Sequence, residues 1–112
     1  ERTLQTMSAT AAGREQVRLW SKSADSKIVA AFLHDVMTTD MRPELKNITV
    51  PLTMVYPFDG SIMPQAMVDG LYNAAYGNAA TAKLNRVDDS RHFIMLDQPE
   101  RFADAVERFL AP

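Results

Sequence analysis

Apolar residues follow two different periods along this chain. Between Ile28 and Met37 they recur at helical spacing on one face. Ser23–Ser26 offers capping side chains just before this stretch, and Pro43 disfavours helical geometry in the residue preceding it. We therefore expect a helix that ends near Thr38–Asp40. A shorter apolar patch upstream predicts another helix over Glu15–Ser21.

Beyond the predicted helix the period changes to that of strands. Ile48–Tyr56 is a continuous run of β-branched and apolar residues, which is typical of a strand covered on both faces. Pro51 indicates either an edge strand or the first residue of the paired part, and Pro57 is expected to stop the strand. Thr81–Val87 is a second short strand. Two strands joined by a helix should run parallel with a right-handed crossover.

Two further helices are predicted, one between the strands and one after them. Pro64 is well placed to begin the first and Gly77 to cap its end, while Pro99 begins the second. The first is expected to bury an apolar stripe, and the second has an apolar face. These residues are Met67, Val68, Leu71, Tyr72, Ala75 and Tyr76, and then Phe102, Ala105, Val106, Phe109 and Leu110.

The order of elements predicts an α/β protein with two parallel strands and helices, preceded by a helical segment. We expect residues 1–39 to form that segment and residues 40–112 the strand-containing part. Two strands alone make a marginal sheet whose open edges invite pairing. More of the sheet is therefore expected from an upstream segment of the same protein or from a partner chain.

Composition excludes several classes of function. The 112 residues are 46% hydrophobic and 23% charged, as in an ordinary globular domain. A net charge of −2 provides no basic surface for nucleic acid or for an anionic membrane. The chain has no cysteine, which excludes disulfides and thiolate metal sites, and no apolar run approaches the ~18 residues of a membrane span.

Asp59 and His92 are the candidate catalytic residues. Asp59 follows the first predicted strand, and His92 follows the second after a turn-like segment. In open parallel sheets, ligands bind outside the carboxyl ends of the strands. There a histidine can act as general base, and a carboxylate can orient its ring and stabilise its cation. The alternatives are an ordinary surface histidine and an ordinary Asp-Gly turn.

No nucleophile is evident in the chain. None of the six serines lies in the G-x-S-x-G turn between a strand and a helix. Ser61 and Ser90 lie close to the two candidates in sequence but lack that motif. His34 and Asp35 suggest a metal site only weakly, since they fall on the expected solvent face of a helix. The sequence therefore predicts a site with an acid and a base whose nucleophile comes from elsewhere.

The segment from Leu45 to Pro51, the Tyr56-Pro-Phe-Asp59 sequence and the stretch from Ser90 to Phe102 together resemble the C-terminal portion of the α/β-hydrolase superfamily. The resemblance covers roughly residues 40–112. It implies that Asp59 is the triad acid after the seventh strand and His92 the histidine after the eighth. Residues 1–39 resemble the last helices of the family's cap. By the same analogy, Phe93 and Met95 should lie near the substrate pocket.

This resemblance implies a hydrolase that acts without a cofactor on a small ester, amide or related bond. The nucleophile would be supplied upstream, and whether it is Ser, Cys or Asp stays open. Because the chain begins at Glu1 rather than Met, we expect that an upstream portion was removed or never included, which leaves localisation open. The alternative is a non-catalytic module that associates with a second copy or another partner. In neither case is nucleic acid or membrane an expected partner.

Overall fold

The computed structural model describes residues 2–111, which form several helices and a small parallel sheet. The elements in chain order are α1 (Arg2–Met7), α2 (Ala11–Ser23), α3 (Ser26–Thr38), a 3₁₀ helix (Arg42–Asn47), β1 (Leu52–Phe58), α4 (Gln65–Tyr76), β2 (Ala82–Asp88), α5 (Ile94–Asp97) and α6 (Pro99–Leu110). The predicted mixed α/β class with two parallel strands is confirmed.

β1 and β2 pair in parallel along their whole length, with Leu52 opposite Ala82 and Phe58 opposite Asp88. The prediction that Pro57 stops the first strand is wrong, because β1 continues through it to Phe58. Proline removes one backbone donor, which an edge strand tolerates. Within the described residues β2 is the only neighbour of β1, so the other side of β1 requires no donor from Pro57.

The helices begin and end close to the predicted positions. Asp25 caps α3 by accepting hydrogen bonds from the backbone N–H groups of Lys27 and Ile28 at 2.8 and 3.3 Å. α2 is longer than predicted, because it begins at Ala11, four residues ahead of the expected start, with Thr10 as its cap. Proline begins α6, and α4 runs between Pro64 and Gly77 as expected. The short α5 and the 3₁₀ helix were not predicted, because elements of four and six residues are too short to show a hydrophobic period.

Several apolar helix faces that the sequence predicts are exposed. On α3, Phe32 is 68% and Met37 77% exposed, and Leu71 of α4 and Leu110 of α6 are also largely open. The accessible surface is 8303 Å². A compact chain of 12.5 kDa should expose only about 6,200 Å². The core is correspondingly small. Its buried apolar residues are Val17, Tyr56, Val68, Ala79, Val87, Ile94 and Ala105.

The junction between α1 and α2 is held against α5 by a buried carboxylate. Oδ1 of Asp97 accepts a hydrogen bond of 2.5 Å from the Ser8 hydroxyl, and its Oδ2 accepts bonds of 2.9 Å from the backbone N–H groups of Ala9 and Arg91. Burial raises the pKa of Asp97, but these hydrogen bonds together outweigh it and hold the pKa below its ordinary value. Asp97 thus fixes residues near the start of the chain to the loop that follows β2.

Candidate active site

A cavity of about 290 Å³ lies at the carboxyl ends of the two strands. Asp59 and His92 both line it, so the structure brings the two predicted catalytic residues to one cavity. Most of the remaining wall is apolar and comes from the end of β1, the loop after it and α4. Its members are Pro57, Phe58, Ile62, Met63, Val68, Leu71 and Tyr72, with Thr6, Ser90 and Arg91 completing the wall.

Asp59 is held by three hydrogen-bond donors. The hydroxyl and the backbone N–H of Ser61 donate to its Oδ1 at 2.6 and 2.9 Å. Nε of Arg91 donates to its Oδ2 at 2.7 Å, in a pair whose side chains are only 16% and 19% exposed. The Ser61 hydroxyl lowers the pKa of Asp59 most strongly, and Arg91 lowers it further. The carboxylate is therefore fixed and ionised at the rim.

His92 is an exposed residue of the loop between β2 and α5. Its ring stands edge-on to that of Phe93, with the two centroids 4.8 Å apart. Among residues 2–111, neither ring nitrogen has a hydrogen-bond partner. Asp59 and His92 therefore share the cavity without being bonded to each other, and the imidazole is free to meet another group.

Neither Phe93 nor Met95 lines this cavity, although the Phe93 ring packs against that of His92, which does. Phe93 contacts Trp20 of α2 edge-on at 5.5 Å and lines a separate apolar groove between α2 and α3. Met95 is exposed and lines neither space. The placement of α5 explains both positions, because the helix begins at Ile94, directs Ile94 into the core and leaves Met95 outside.

The two serines nearest the candidates are engaged locally. The buried Ser90 hydroxyl donates to the carbonyl of Val87 at 2.7 Å, and the Ser61 hydroxyl donates to Asp59. In the described part of the chain, no serine hydroxyl is hydrogen-bonded to His92. The cavity thus presents an acid and an imidazole, and among residues 2–111 no hydroxyl is paired with the imidazole.

Arg91 is the residue of this site that sequence reasoning missed. Its Nε bonds Asp59, its Nη1 bonds the carbonyl of Gln5 in α1, and its backbone N–H bonds Asp97. Nothing in the sequence marks it, because an arginine in a loop has no periodicity. Its partners Gln5 and Asp59 lie 86 and 32 residues away in sequence.

Other kinds of site receive no support in residues 2–111. They contain no group of three or more His, Asp or Glu side chains placed to hold a metal ion. His34 and Asp35 contact each other on an exposed face of α3. None of the described helices is both long enough and apolar enough to cross a bilayer. The chain matches no family model, no curated protein and no solved structure.

Proposed function

We propose that this chain is the C-terminal part of an α/β-hydrolase, with Asp59 as triad acid and His92 as general base. The observation that carries the proposal is the shared cavity at the carboxyl ends of two parallel strands, which both residues line. Ligands of parallel sheets bind at this edge. The strand–helix–strand order and the resemblance of residues 40–112 favour the same assignment.

The form of the cavity favours a small substrate with an apolar portion. Its volume of about 290 Å³ is near the lower end of the range for ligand pockets. The apolar wall includes Phe58, Ile62 and Leu71, whereas Asp59, Arg91 and His92 supply its charged and titratable groups. An ester or amide with a small apolar acyl group fits this distribution.

The chemistry requires His92 to take a proton from a nucleophile and return it to the leaving group. Asp59 would accept a hydrogen bond from the other ring nitrogen and stabilise the imidazolium. The bonds from Ser61 and Arg91 do not prevent this, because a carboxylate offers about four acceptor positions. Asp59 therefore keeps an acceptor position for His92, and the proposed mechanism requires the two groups to come within hydrogen-bonding distance.

The uncovered surface supports association with a further segment that provides the nucleophile. The accessible area exceeds that of a compact chain by about 2,100 Å². Within residues 2–111, the outer edges of both strands are unpaired. In the proposed protein, upstream strands would pair with this sheet and bring a nucleophile to the cavity.

The test is ester hydrolysis by the 112-residue chain alone and after addition of the segment encoded upstream of Glu1. We expect hydrolysis of a short-chain p-nitrophenyl ester only when both parts are present. His92→Ala should reduce its rate roughly 100-fold or more. His34→Ala is the matched control, because His34 is exposed on α3 and does not line the cavity. Equal rates for the two histidine variants would rule out the proposed role of His92.

A second candidate function is a non-catalytic association module, which the exposed face of α3 favours. Phe32, Val36 and Met37 are each more than two-thirds exposed on that face. A second copy that covers these residues and the strand edges would bury a surface typical of stable dimers. Sedimentation equilibrium separates the two functions. A tight dimer that gains no hydrolytic activity from the upstream segment would support the module.

A further inference from the structure

Arg91 connects three parts of the molecule that are distant in sequence. Its Nε donates to Asp59 after β1, its Nη1 donates to the Gln5 carbonyl in α1, and its backbone N–H donates to Asp97 in α5. The Arg91 and Asp59 side chains are both largely buried. A guanidinium group is planar and carries several donors in fixed directions, so its two side-chain contacts constrain each other.

The contact with Gln5 places α1 at the same site. Thr6, the next residue of α1, contributes to the wall of the cavity that Asp59 and His92 line. The end of α1 is also held by the backbone bond from Phe93 N–H to the Met7 carbonyl at 2.9 Å. α1 therefore lies against the loop that carries His92, and Arg91 bridges α1 to the acid.

We propose that Arg91 is a positioning residue that couples the docking of α1 to the orientation of Asp59. When α1 is docked, the Gln5 carbonyl holds the guanidinium group so that its Nε meets the carboxylate. When α1 moves away, Arg91 loses that anchor and its hold on Asp59 weakens. This inference deepens the proposed function because it concerns its acid. Its test measures titration and amide exchange rather than turnover, so it can fail independently.

Gly13 provides a means of displacing α1 without mutating Arg91 or Asp59. A Cβ at Gly13 would lie 2.1 Å from the Ser8 hydroxyl and 2.8 Å from that of Thr10. Such distances force the corner between α1 and α2 to move. Gly70 is the matched control, because a Cβ there meets nothing within 4 Å. Ser8→Ala is a milder variant, since it removes the bond to Asp97 without adding volume.

The decisive measurement is the pKa of Asp59, followed by NMR of ¹³C-labelled carboxyl groups and assigned with Asp59→Asn. Arg91→Gln should raise it, because the carboxylate loses an opposite charge and a hydrogen bond. Gly13→Ala and Ser8→Ala should also raise it, although both leave Arg91 in place. Gly70→Ala should leave it unchanged.

Hydrogen exchange of the α1 amides tests the coupling in the reverse direction, since coupling between two sites is reciprocal. Arg91→Gln should accelerate exchange in α1. Arg91→Lys should restore part of the lowering of the Asp59 pKa, because lysine keeps the positive charge. It should leave α1 exchange fast, because lysine lacks the planar guanidinium group that contacts two acceptors at once. If the Asp59 pKa is unchanged in Arg91→Gln, the positioning role is wrong. If it changes in Arg91→Gln but in neither Gly13→Ala nor Ser8→Ala, the coupling is wrong.

Discussion

The Ser8 hydroxyl donates a hydrogen bond of 2.5 Å to Oδ1 of Asp97, and both side chains are buried although 89 residues separate them. The same carboxylate accepts bonds from the backbone N–H groups of Ala9 and Arg91. A buried carboxylate is tolerated only when its acceptor positions are used. This cluster therefore joins the helical segment at the start of the chain to the loop that carries His92.

Asp97→Asn should destabilise the chain by roughly 2–3 kcal/mol, because bonds to a charged acceptor are lost and the amide group faces backbone donors. Urea unfolding followed by circular dichroism measures the change. Asp104→Asn is the matched control, since Asp104 is exposed and only pairs with Arg108 on α6. We expect the control to change the free energy of unfolding by less than about 0.5 kcal/mol. Equal effects of both variants would contradict the role of Asp97.

The stability provided by Asp97 should depend on pH in a defined direction. Its hydrogen bonds hold the folded-state pKa below the ordinary 3.8. The unfolded chain therefore binds the proton more readily, and this stabilisation is fully present above pH 3.8. It is lost as the pH falls through the lower folded-state pKa.

Asp97→Asn should remove the part of the loss of stability at low pH that comes from protonation of Asp97. Urea unfolding at several pH values between about 5 and 2 compares the parent chain with the variant. We expect the difference in stability between them to shrink as the solution becomes more acidic. A difference that stays constant over this range would show that the Asp97 carboxylate has no depressed pKa.

The sequence predicts local structure well because period and capping act over a few residues. The α3 boundary follows from Asp25 and the spacing of Ile28 and Phe32, and the parallel pair follows from the strand–helix–strand order. The same reasoning fails at Pro57, because whether a proline ends a strand depends on the neighbouring strands with which it pairs. Burial cannot be predicted in this way either, because the period of α3 indicates an apolar face but not which residues cover it.

The site could be predicted only as far as strand ends determine it. Asp59 and His92 reach one cavity because parallel strands place their carboxyl ends together. The hydrogen bond between Asp59 and Arg91 could not be predicted. Arg91 is adjacent to His92 in sequence, yet its guanidinium group reaches Asp59 and Gln5. Such contacts depend on how distant segments pack, and nothing in local spacing encodes them.

Tyr56→Phe should destabilise the sheet by about 1 kcal/mol, the usual contribution of one hydrogen bond. The hydroxyl of the buried Tyr56 donates a hydrogen bond of 2.9 Å to Asp69 of α4. Asp69 also pairs with Arg86 of β2 at 2.8 Å. Burial and the bond to Asp69 raise the pKa of the Tyr56 hydroxyl. Thermal unfolding measures the loss. Tyr76→Phe, which removes a hydroxyl with no protein partner in the described residues, should have no effect beyond error.

Phe32→Lys tests whether the apolar face of α3 is an association surface. The side chain is 68% exposed, so its replacement should change the free energy of unfolding by less than about 0.5 kcal/mol. It should nevertheless shift sedimentation of the concentrated chain toward monomer, because a charge on this face costs desolvation in any complex that buries it. Lys27→Ala, a change outside the apolar stripe of the same helix, is the control. If Phe32→Lys and Lys27→Ala sediment alike, the apolar face of α3 is not an association surface.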